Sequence, residues 1–447
     1  MRHPICKVFT NATISCSIHL RKTNEVRKEL KKEKHRNLFE EILRYLNDQQ
    51  IISLIGLRRT GKTTLMYQLI DHLIQNGVPP KNILYFSFDE ILSAEPKILE
   101  EVIENYQKMI LKTEEKTYLF LDEIQYIEKW QAVLKRYYDL HPTMKFFISG
   151  SASLNIKKAK ESLAGRIYEF ILHPLNFREF LDMKTFPLPK KQTTYTLEEL
   201  QNNYHQLLPY KDDIETYLNE YMLKGGFPEL IEEKSLEKIQ KYLRTNIDKI
   251  IFQDIPKVFD IKEPALLIEL LKITAAQSGT VLEYEGIGKA LKTTRQSISN
   301  YMLYLQESFL IRKMTNYTGR TLASGRKAKK FYIQDHGITN TLLEKREEAF
   351  SEQDSGKIIE NIIVNTLQPT YFWRQNYEVD IILKTDEITP IEIKYRTNPT
   401  DIKGLEKFME TYGTKKGIVI SKTLLKQTKS ETREILFIPA WLFLSLY

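Results

Sequence analysis

Residues 51–63 read Ile51-Ile52-Ser53-Leu54-Ile55-Gly56-Leu57-Arg58-Arg59-Thr60-Gly61-Lys62-Thr63, and this stretch decides the fold. A short apolar run ends at a glycine, as a buried strand does when it enters a tight turn. From Gly56 to Thr63 the residues fit G-x-x-x-x-G-K-[ST] without a mismatch. The glycines let the backbone curl so that its N–H groups point inward at phosphates. A helix beginning near Lys62 adds its positive dipole end at the same place. Lys62 is then expected to reach the β- and γ-phosphates of ATP, and Thr63 to offer its hydroxyl to Mg²⁺. Gly56, Arg58, Arg59, Thr60, Gly61, Lys62, Thr63 and Thr64 form the candidate nucleotide-contacting set.

Working outward, NILYFSFDE, TYLFLDE and MKFFISGS are further short apolar runs, each followed by a helical pattern. Strands alternating with helices predict a parallel sheet covered on both faces. Tyr118-Leu119-Phe120-Leu121-Asp122-Glu123 ends in paired acids at a strand's C-terminal edge, where open α/β sheets bind ligands. Asp122 is expected at the Mg²⁺ ion and Glu123 at the attacking water. MKFFISGSAS offers Ser149 and Ser151 as γ-phosphate sensors. Arg166 reads equally as an arginine finger acting on a neighbour's phosphate, which requires a homo-oligomer, or as one half of a local ion pair. Residues 37–49 (NLFEEILRYLNDQ) have helical spacing.

GLRRTGKTT, YFSFDE, LFLDEIQYIEKW, FFISGSAS, LAGR and HPLNFREFL follow one another in an order that resembles the archaeal and bacterial P-loop ATPases of the AAA+ superfamily. The similarity spans residues 40–183, and YMLKGGFPEL resembles the helical region of the same family. The resemblance implies a RecA-like/AAA+ α/β ATPase domain and a C-terminal domain of unknown function.

The chain has 447 residues, 42% hydrophobic and 28% charged, which suits several globular domains rather than one core. No apolar run approaches the roughly 18 residues of a membrane span. Cys6 and Cys16 are the only cysteines, too few for a disulfide framework, so a cytoplasmic protein without a membrane partner is expected. Composition shifts divide the chain into a basic segment 1–36, an ATPase domain 37–183, a loop and helical region 184–275, and segments 276–335 and 336–447.

Net charge is +8, and it is unevenly spread. Between 289 and 330 lie Lys289, Lys292, Arg295, Arg312, Lys313, Arg320, Arg326, Lys327, Lys329 and Lys330 against the single acid Glu307. Such a bias points to a polyanionic partner, with DNA the expected one. Arg21–Arg36 is also basic, but interleaved glutamates suit a solvated face as well. Residues 284–313 read as helix, turn, helix and strand, followed by a basic excursion and strand FYIQ, the pattern of a winged helix. Arg295, Gln296, Ser299 and Asn300 would face a DNA groove. Lys292, Arg320, Arg326, Lys327, Lys329 and Lys330 would meet phosphates. A winged helix also serves as a protein-docking or lid module, and that alternative stays open.

In the last segment a helix GKIIENIIVNTL carries Glu360, a strand YEVDIIL carries Asp380, and a strand ITPIEIKY carries Glu392 and Lys394 on one face. Two carboxylates and a lysine at a hairpin can hold Mg²⁺ and orient a water for phosphodiester hydrolysis. Spacing alone equally fits a half-exposed hairpin with a surface Glu-Lys pair. The segment resembles the PD-(D/E)xK, restriction-endonuclease-like α/β fold. That resemblance implies Asp380 and Glu392 as metal ligands, Glu360 as an auxiliary acid and Lys394 as the water-positioning group. The expected activity is Mg²⁺-dependent ATP hydrolysis coupled to DNA binding, with DNA cleavage as a further possibility. A nucleotide-dependent switch or scaffold with a non-catalytic C-terminal module is the alternative.

Overall fold

The computed structural model describes residues 26–89, 95–109, 115–151, 163–190, 196–319, 328–345, 351–430 and 432–447. Both cysteines and the basic residues Arg320, Arg326 and Lys327 lie outside them. The chain divides into two units, residues 1–173 and 174–447.

In the first unit the expected strand–helix alternation forms β1 (Ile51–Ile55), α2 (Lys62–Gln75), β2 (Ile83–Ser87), α3 (Pro96–Met109), β3 (Thr117–Asp122), α4 (Trp130–Leu140) and β4 (Met144–Gly150), preceded by α1 (Asn37–Leu43). A fifth strand, β5 (Ile167–Ile171), had no counterpart in the sequence reading. All strand pairs are parallel, in the order β2-β3-β4-β1-β5. Every residue of β1, β3 and β4 is buried, which accounts for their continuous apolar runs. β4 sits between β1 and β3, so Ser149 lies between the loop after β1 and the acids after β3.

Helix α1 stops six residues short of the span its periodicity suggested. The buried Lys145 ammonium donates to the carbonyls of Tyr45, Asp48 and Gln50 at 3.0, 2.7 and 2.6 Å. Those carbonyls are met by a lysine from β4, so the backbone there turns instead of continuing as helix.

The second unit starts with helices α5 (Phe177–Met183), α6 (Leu197–Leu207), α7 (Lys211–Lys224), α8 (Leu236–Lys249) and α9 (Pro264–Ala276). Then come α10 (Tyr284–Ala290), α11 (Arg295–Glu307), β6 (Ile311–Asn316), β7 (Lys329–Ile333), α12 (His336–Leu342) and α13 (Glu352–Leu367). The remainder is β8 (Tyr371–Arg374), β9 (Glu378–Lys384), β10 (Ile388–Lys394), α14 (Lys403–Tyr412), β11 (Lys416–Ser421), β12 (Lys426–Lys429), β13 (Glu434–Pro439) and α15 (Ala440–Leu446). One eight-stranded mixed sheet runs β12-β13-β11-β10-β9-β8-β6-β7. The β6–β7 pair, read from sequence as a basic two-stranded wing, joins it where Thr315 and Asn316 pair in parallel with Tyr371 and Phe372. The core on one face combines Met314 and Tyr332 with Ile359, Ile362 and Ile363 of α13 and Trp441 and Leu444 of α15. The other face packs Trp373, Val379 and Val419 against Leu405 and Phe408 of α14.

Gly56 has φ +145°, and a Cβ placed on it would lie 2.3 Å from the Leu172 carbonyl oxygen, which is fixed by the pairing of β5 with β1. Both the left-handed backbone and the close approach demand glycine. Gly56→Ala is expected to destabilise the first unit by about 2 kcal/mol or more. Thermal unfolding of the variant checks this.

Candidate functional site

Three positive-φ residues shape the loop between β1 and α2: Gly56, Arg59 (+67°) and Gly61 (+98°). The Lys62 ammonium, buried at the helix start, donates to the carbonyls of Gly56 and Leu57, both at 3.0 Å. The Thr60 hydroxyl donates to the Leu57 carbonyl at 2.9 Å, fixing the turn from inside. Arg58 is half-buried, Arg59 exposed, and Thr63 and Thr64 half-buried at the first turn of α2.

The buried Asp122 carboxylate ends β3 and faces this turn. Its Oδ2 accepts the Thr63 hydroxyl at 2.7 Å and the Tyr85 hydroxyl at 2.9 Å, and its Oδ1 accepts the Ser149 hydroxyl. Glu123 follows in the left-handed region, at φ +54°, which swings its side chain away from the strand direction. Its backbone N–H donates to Ser149 Oγ at 3.1 Å. Its carboxylate accepts from Gln125, whose amide also donates to Ser151 Oγ at 3.2 Å. Burial pushes the Glu123 carboxyl above the usual range and neighbouring Asp122 adds to this, while Lys62 and Arg58 pull it back. A glutamate held in this way is a better proton acceptor than a solvated one.

Lys62, Thr63, Asp122, Glu123 and Ser149 therefore lie at one end of the parallel sheet. Ser149 acts on the Asp122–Glu123 pair itself. The arrangement fits Mg²⁺ by donor chemistry: a hydroxyl and a carboxylate in contact, both hard oxygen ligands. Arg166 forms an ion pair with Asp139 at 2.8 Å, the local alternative that its sequence left open. Two positions carried no readable motif. Tyr85 of β2 reaches Asp122, and the buried Arg36 donates to the Thr60 carbonyl at 2.9 Å and the His173 carbonyl at 2.8 Å. Arg36 thus braces the loop from a basic segment whose sequence had left open both a solvated face and a polyanionic partner.

A second polar cluster occupies the sheet of the second unit. Pairing of β9 with β10 ends at Ile381↔Ile391, and in the fork beyond it Asp380 Oδ2 accepts the Ile393 N–H at 2.8 Å. Glu392 is buried and its Oε1 lies 2.6 Å from the Lys394 ammonium. Its Oε2 is buried without a hydrogen-bond partner. Glu360 accepts the Tyr332 hydroxyl at 2.8 Å. Burial, reinforced by Asp380, pushes Glu360 up to about 7 and Glu392 up to about 8. Burial also raises Asp380, with Lys330 and Lys394 opposing.

Two expectations are corrected at this cluster. Lys330 is 1% exposed and forms an ion pair with Glu378, so it cannot meet a DNA phosphate from a wing. It lies on the inward face of β7 with Tyr332, because strand alternation sends both toward α13. Among the described residues no group of three or more His, Cys, Asp or Glu side chains is arranged to hold a metal ion. Glu360 is engaged by Tyr332 and does not complete a three-carboxylate set with Asp380 and Glu392. The donor set that fits a divalent cation is the Asp380–Glu392 pair with its orphaned oxygen, the balance being water, as suits Mg²⁺.

Arg295, Gln296 and Asn300 are exposed on α11, Ser299 is half-buried, and Lys292 is exposed in the turn before the helix. Gln296 donates to Asn300 at 3.0 Å, one helical turn away. Lys329 is half-buried with its ammonium 5.7 Å from the Tyr284 ring centroid.

Residues 48–181 match the family model of an AAA domain. Residues 215–349 and 355–442 match two models described as domains of unknown function, DUF8612 and DUF4143. An uncharacterized protein of Methanocaldococcus jannaschii is 29% identical over 375 residues, covering 79% of this chain and 77% of that protein. A protein of Haemophilus influenzae is 23% identical over 423 residues, covering 91% of this chain and 97% of its own. The structure of AMPPCP-bound DnaA from Aquifex aeolicus aligns at 15% identity over 60% of this chain and 86% of its own, with a TM-score of 0.24, too low to carry an argument. The parallel sheet and the family match together liken residues 48–181 to an AAA domain, a fold that suggests nucleotide binding and hydrolysis. No helix among the described residues is long and apolar enough to cross a membrane.

Glu123→Gln is expected to keep nucleotide affinity and lower turnover by about a hundredfold or more. Lys62→Ala is expected to lose nucleotide affinity itself. Fluorescent-nucleotide binding beside phosphate release separates the two.

Proposed function

We propose that this chain is a Mg²⁺-dependent ATPase that acts on DNA, its nucleotide state governing DNA engagement by the second unit. The observation that carries the ATPase reading is the Thr63–Asp122 hydrogen bond, with Glu123 beside it and Lys62 at the same loop. Mg²⁺ held by Thr63 and Asp122 would neutralise phosphate charge. Lys62 would leave the Gly56 and Leu57 carbonyls for the phosphates. Glu123 would take the proton of the attacking water, and Ser149 keeps its backbone in place by accepting its N–H.

Support for DNA as the partner comes from the charge bias of residues 289–330 and from exposed Lys292, Arg295, Gln296 and Asn300 at the start of α11. A helix-turn-helix with a basic strand pair is the winged-helix pattern. Support for a nuclease-like role comes from Asp380, Glu392 and Lys394 gathered at the β9–β10 fork, with Glu392 Oε2 unpartnered. In that reading Lys394 orients a water toward a phosphodiester. The expected setting is the cytoplasm.

ATP turnover with and without single-stranded, duplex and forked DNA tests the coupling. Stimulation by one DNA form, absent in Lys62→Ala and Glu123→Gln, is the expected result. Identical turnover with every DNA form would remove DNA from the proposal. Mg²⁺-dependent nicking that disappears in Asp380→Ala and survives Lys62→Ala is expected of the fork. Equal behaviour of the wild type and Asp380→Ala would favour a non-catalytic module.

DNA affinity is expected to fall steeply with salt, and the slope of log K against log salt to flatten by about 1 for each of Lys292→Ala and Arg295→Ala that removes a phosphate contact. Titrations at a series of salt concentrations give that slope.

A further inference from the structure

Lys330 is a charged side chain with almost no water around it. It arises on β7, one of the two edge strands of the sheet, and its ammonium passes 5.1 Å from the Phe372 ring centroid of β8 to reach Glu378 of β9. Burial by itself would lower the lysine's pKa, but Asp380, Glu360 and Glu378 outweigh it, and the ammonium is held above its ordinary value. It stays charged because carboxylates surround it. On the same strand face Tyr332 donates to Glu360. The cluster is therefore assembled from two segments that match separate family models: Lys330 and Tyr332 lie within 215–349, and Glu360, Glu378, Asp380, Glu392 and Lys394 within 355–442.

The four carboxyls of Glu360, Glu378, Asp380 and Glu392 are met by three cations, Lys330, Lys394 and, at the exposed side of Glu378, Arg374 at 3.6 Å, so ionisation of all of them leaves an excess of negative charge. A second cation is then drawn to the fork, and it must compete with the lysines already there. Lys394 is half-exposed beside Glu392 and can turn toward water. Lys330 has no such freedom.

We propose that Lys330 is a built-in counter-ion of the carboxylate fork, supplied by the preceding matched segment, and that its fixed charge weakens and thereby sets the affinity of Asp380 and Glu392 for a divalent cation. Lys330 is a positioning residue, since it acts through the carboxylates. The inference rests on the reading of Asp380 and Glu392 as cation ligands. It makes the fork's affinity depend on the seating of β7, outside the segment that carries the carboxylates.

Mn²⁺ binding to the full chain tests this, read from the loss of the free-ion EPR signal in a nucleotide-free Asp122→Asn background that silences the first site. Lys330→Gln is expected to tighten Asp380-dependent Mn²⁺ binding by about tenfold or more, since a unit charge that acts on Asp380 is removed from a buried, poorly screened place. Lys330→Arg keeps the charge and is expected to stay within about threefold of the parent. Unchanged or weaker binding in a folded Lys330→Gln protein overturns the counter-ion role while leaving the cation site intact. No Mn²⁺ binding that Asp380→Asn removes, in the parent or in Lys330→Gln, overturns the cation reading and this inference with it. If Lys330→Gln does not fold, Lys330→Gln/Glu378→Gln replaces the ion pair by a neutral hydrogen-bonded one. Compared with Glu378→Gln alone it must show the same tightening, and equal affinities overturn the proposal.

Discussion

Asp122 is a buried carboxylate, and a buried charge is tolerated only where hydrogen bonds replace its lost hydration. Three hydroxyls do this, from Thr63 at the start of α2, Tyr85 on β2 and Ser149 on β4. Each comes from a different element, so one side chain ties the phosphate loop to the strands on both sides of β3. A slip of β2 or β4 by one residue would turn Tyr85 or Ser149 to the opposite face and leave the charge unmet. The same contacts place Glu123, because Ser149 also accepts its backbone N–H. The geometry of the candidate site and the register of the sheet are in this sense one constraint.

Glycine permits the rest of the loop. With β5 paired to β1, the Leu172 carbonyl sits where any side chain on residue 56 would go. Arg36 then holds the Thr60 carbonyl from outside. The second unit uses close approach in the same manner. Asp335 accepts the Gly226 N–H at 2.8 Å, and a Cβ on Gly225 would lie 2.2 Å from its Oδ1. The KGGFPEL phrase is thus a seat for a buried aspartate that joins the end of α7 to α12. At the β9–β10 fork charge is balanced less completely. Lys330 and Lys394 offset part of a larger set of acids, and Glu392 keeps one buried oxygen without a partner.

Much of the first unit was legible because its strands are buried on both faces and read as plain apolar runs between helical patterns. β5 escaped notice because Ile167–Ile171 is only partly buried and has no such run. The length of α1 was misjudged because its periodicity cannot report Lys145, which lies far along the chain and captures the carbonyls at its end. In the second unit α10, α11, β6, β7, α13, β9 and β10 were visible from their patterns. The short strands β8, β12 and β13 and the helix α15 were not. The parallel contact of Thr315 and Asn316 with Tyr371 and Phe372 joins residues that no local pattern relates.

By itself the sequence determined the chemistry of the phosphate loop, since the glycines, the lysine and the threonine are adjacent and their spacing is the geometry. It also determined that Glu392 and Lys394 share a strand face, because alternation along a strand is local. Only the tertiary structure decided that Tyr85 meets Asp122 and Arg36 the Thr60 carbonyl, that Arg166 is paired with Asp139, and that Lys330 faces carboxylates instead of solvent. Each of those outcomes depends on which side chain from elsewhere in the chain meets a charge or an open hydrogen bond. That is a property of packing, and a one-dimensional pattern does not carry it.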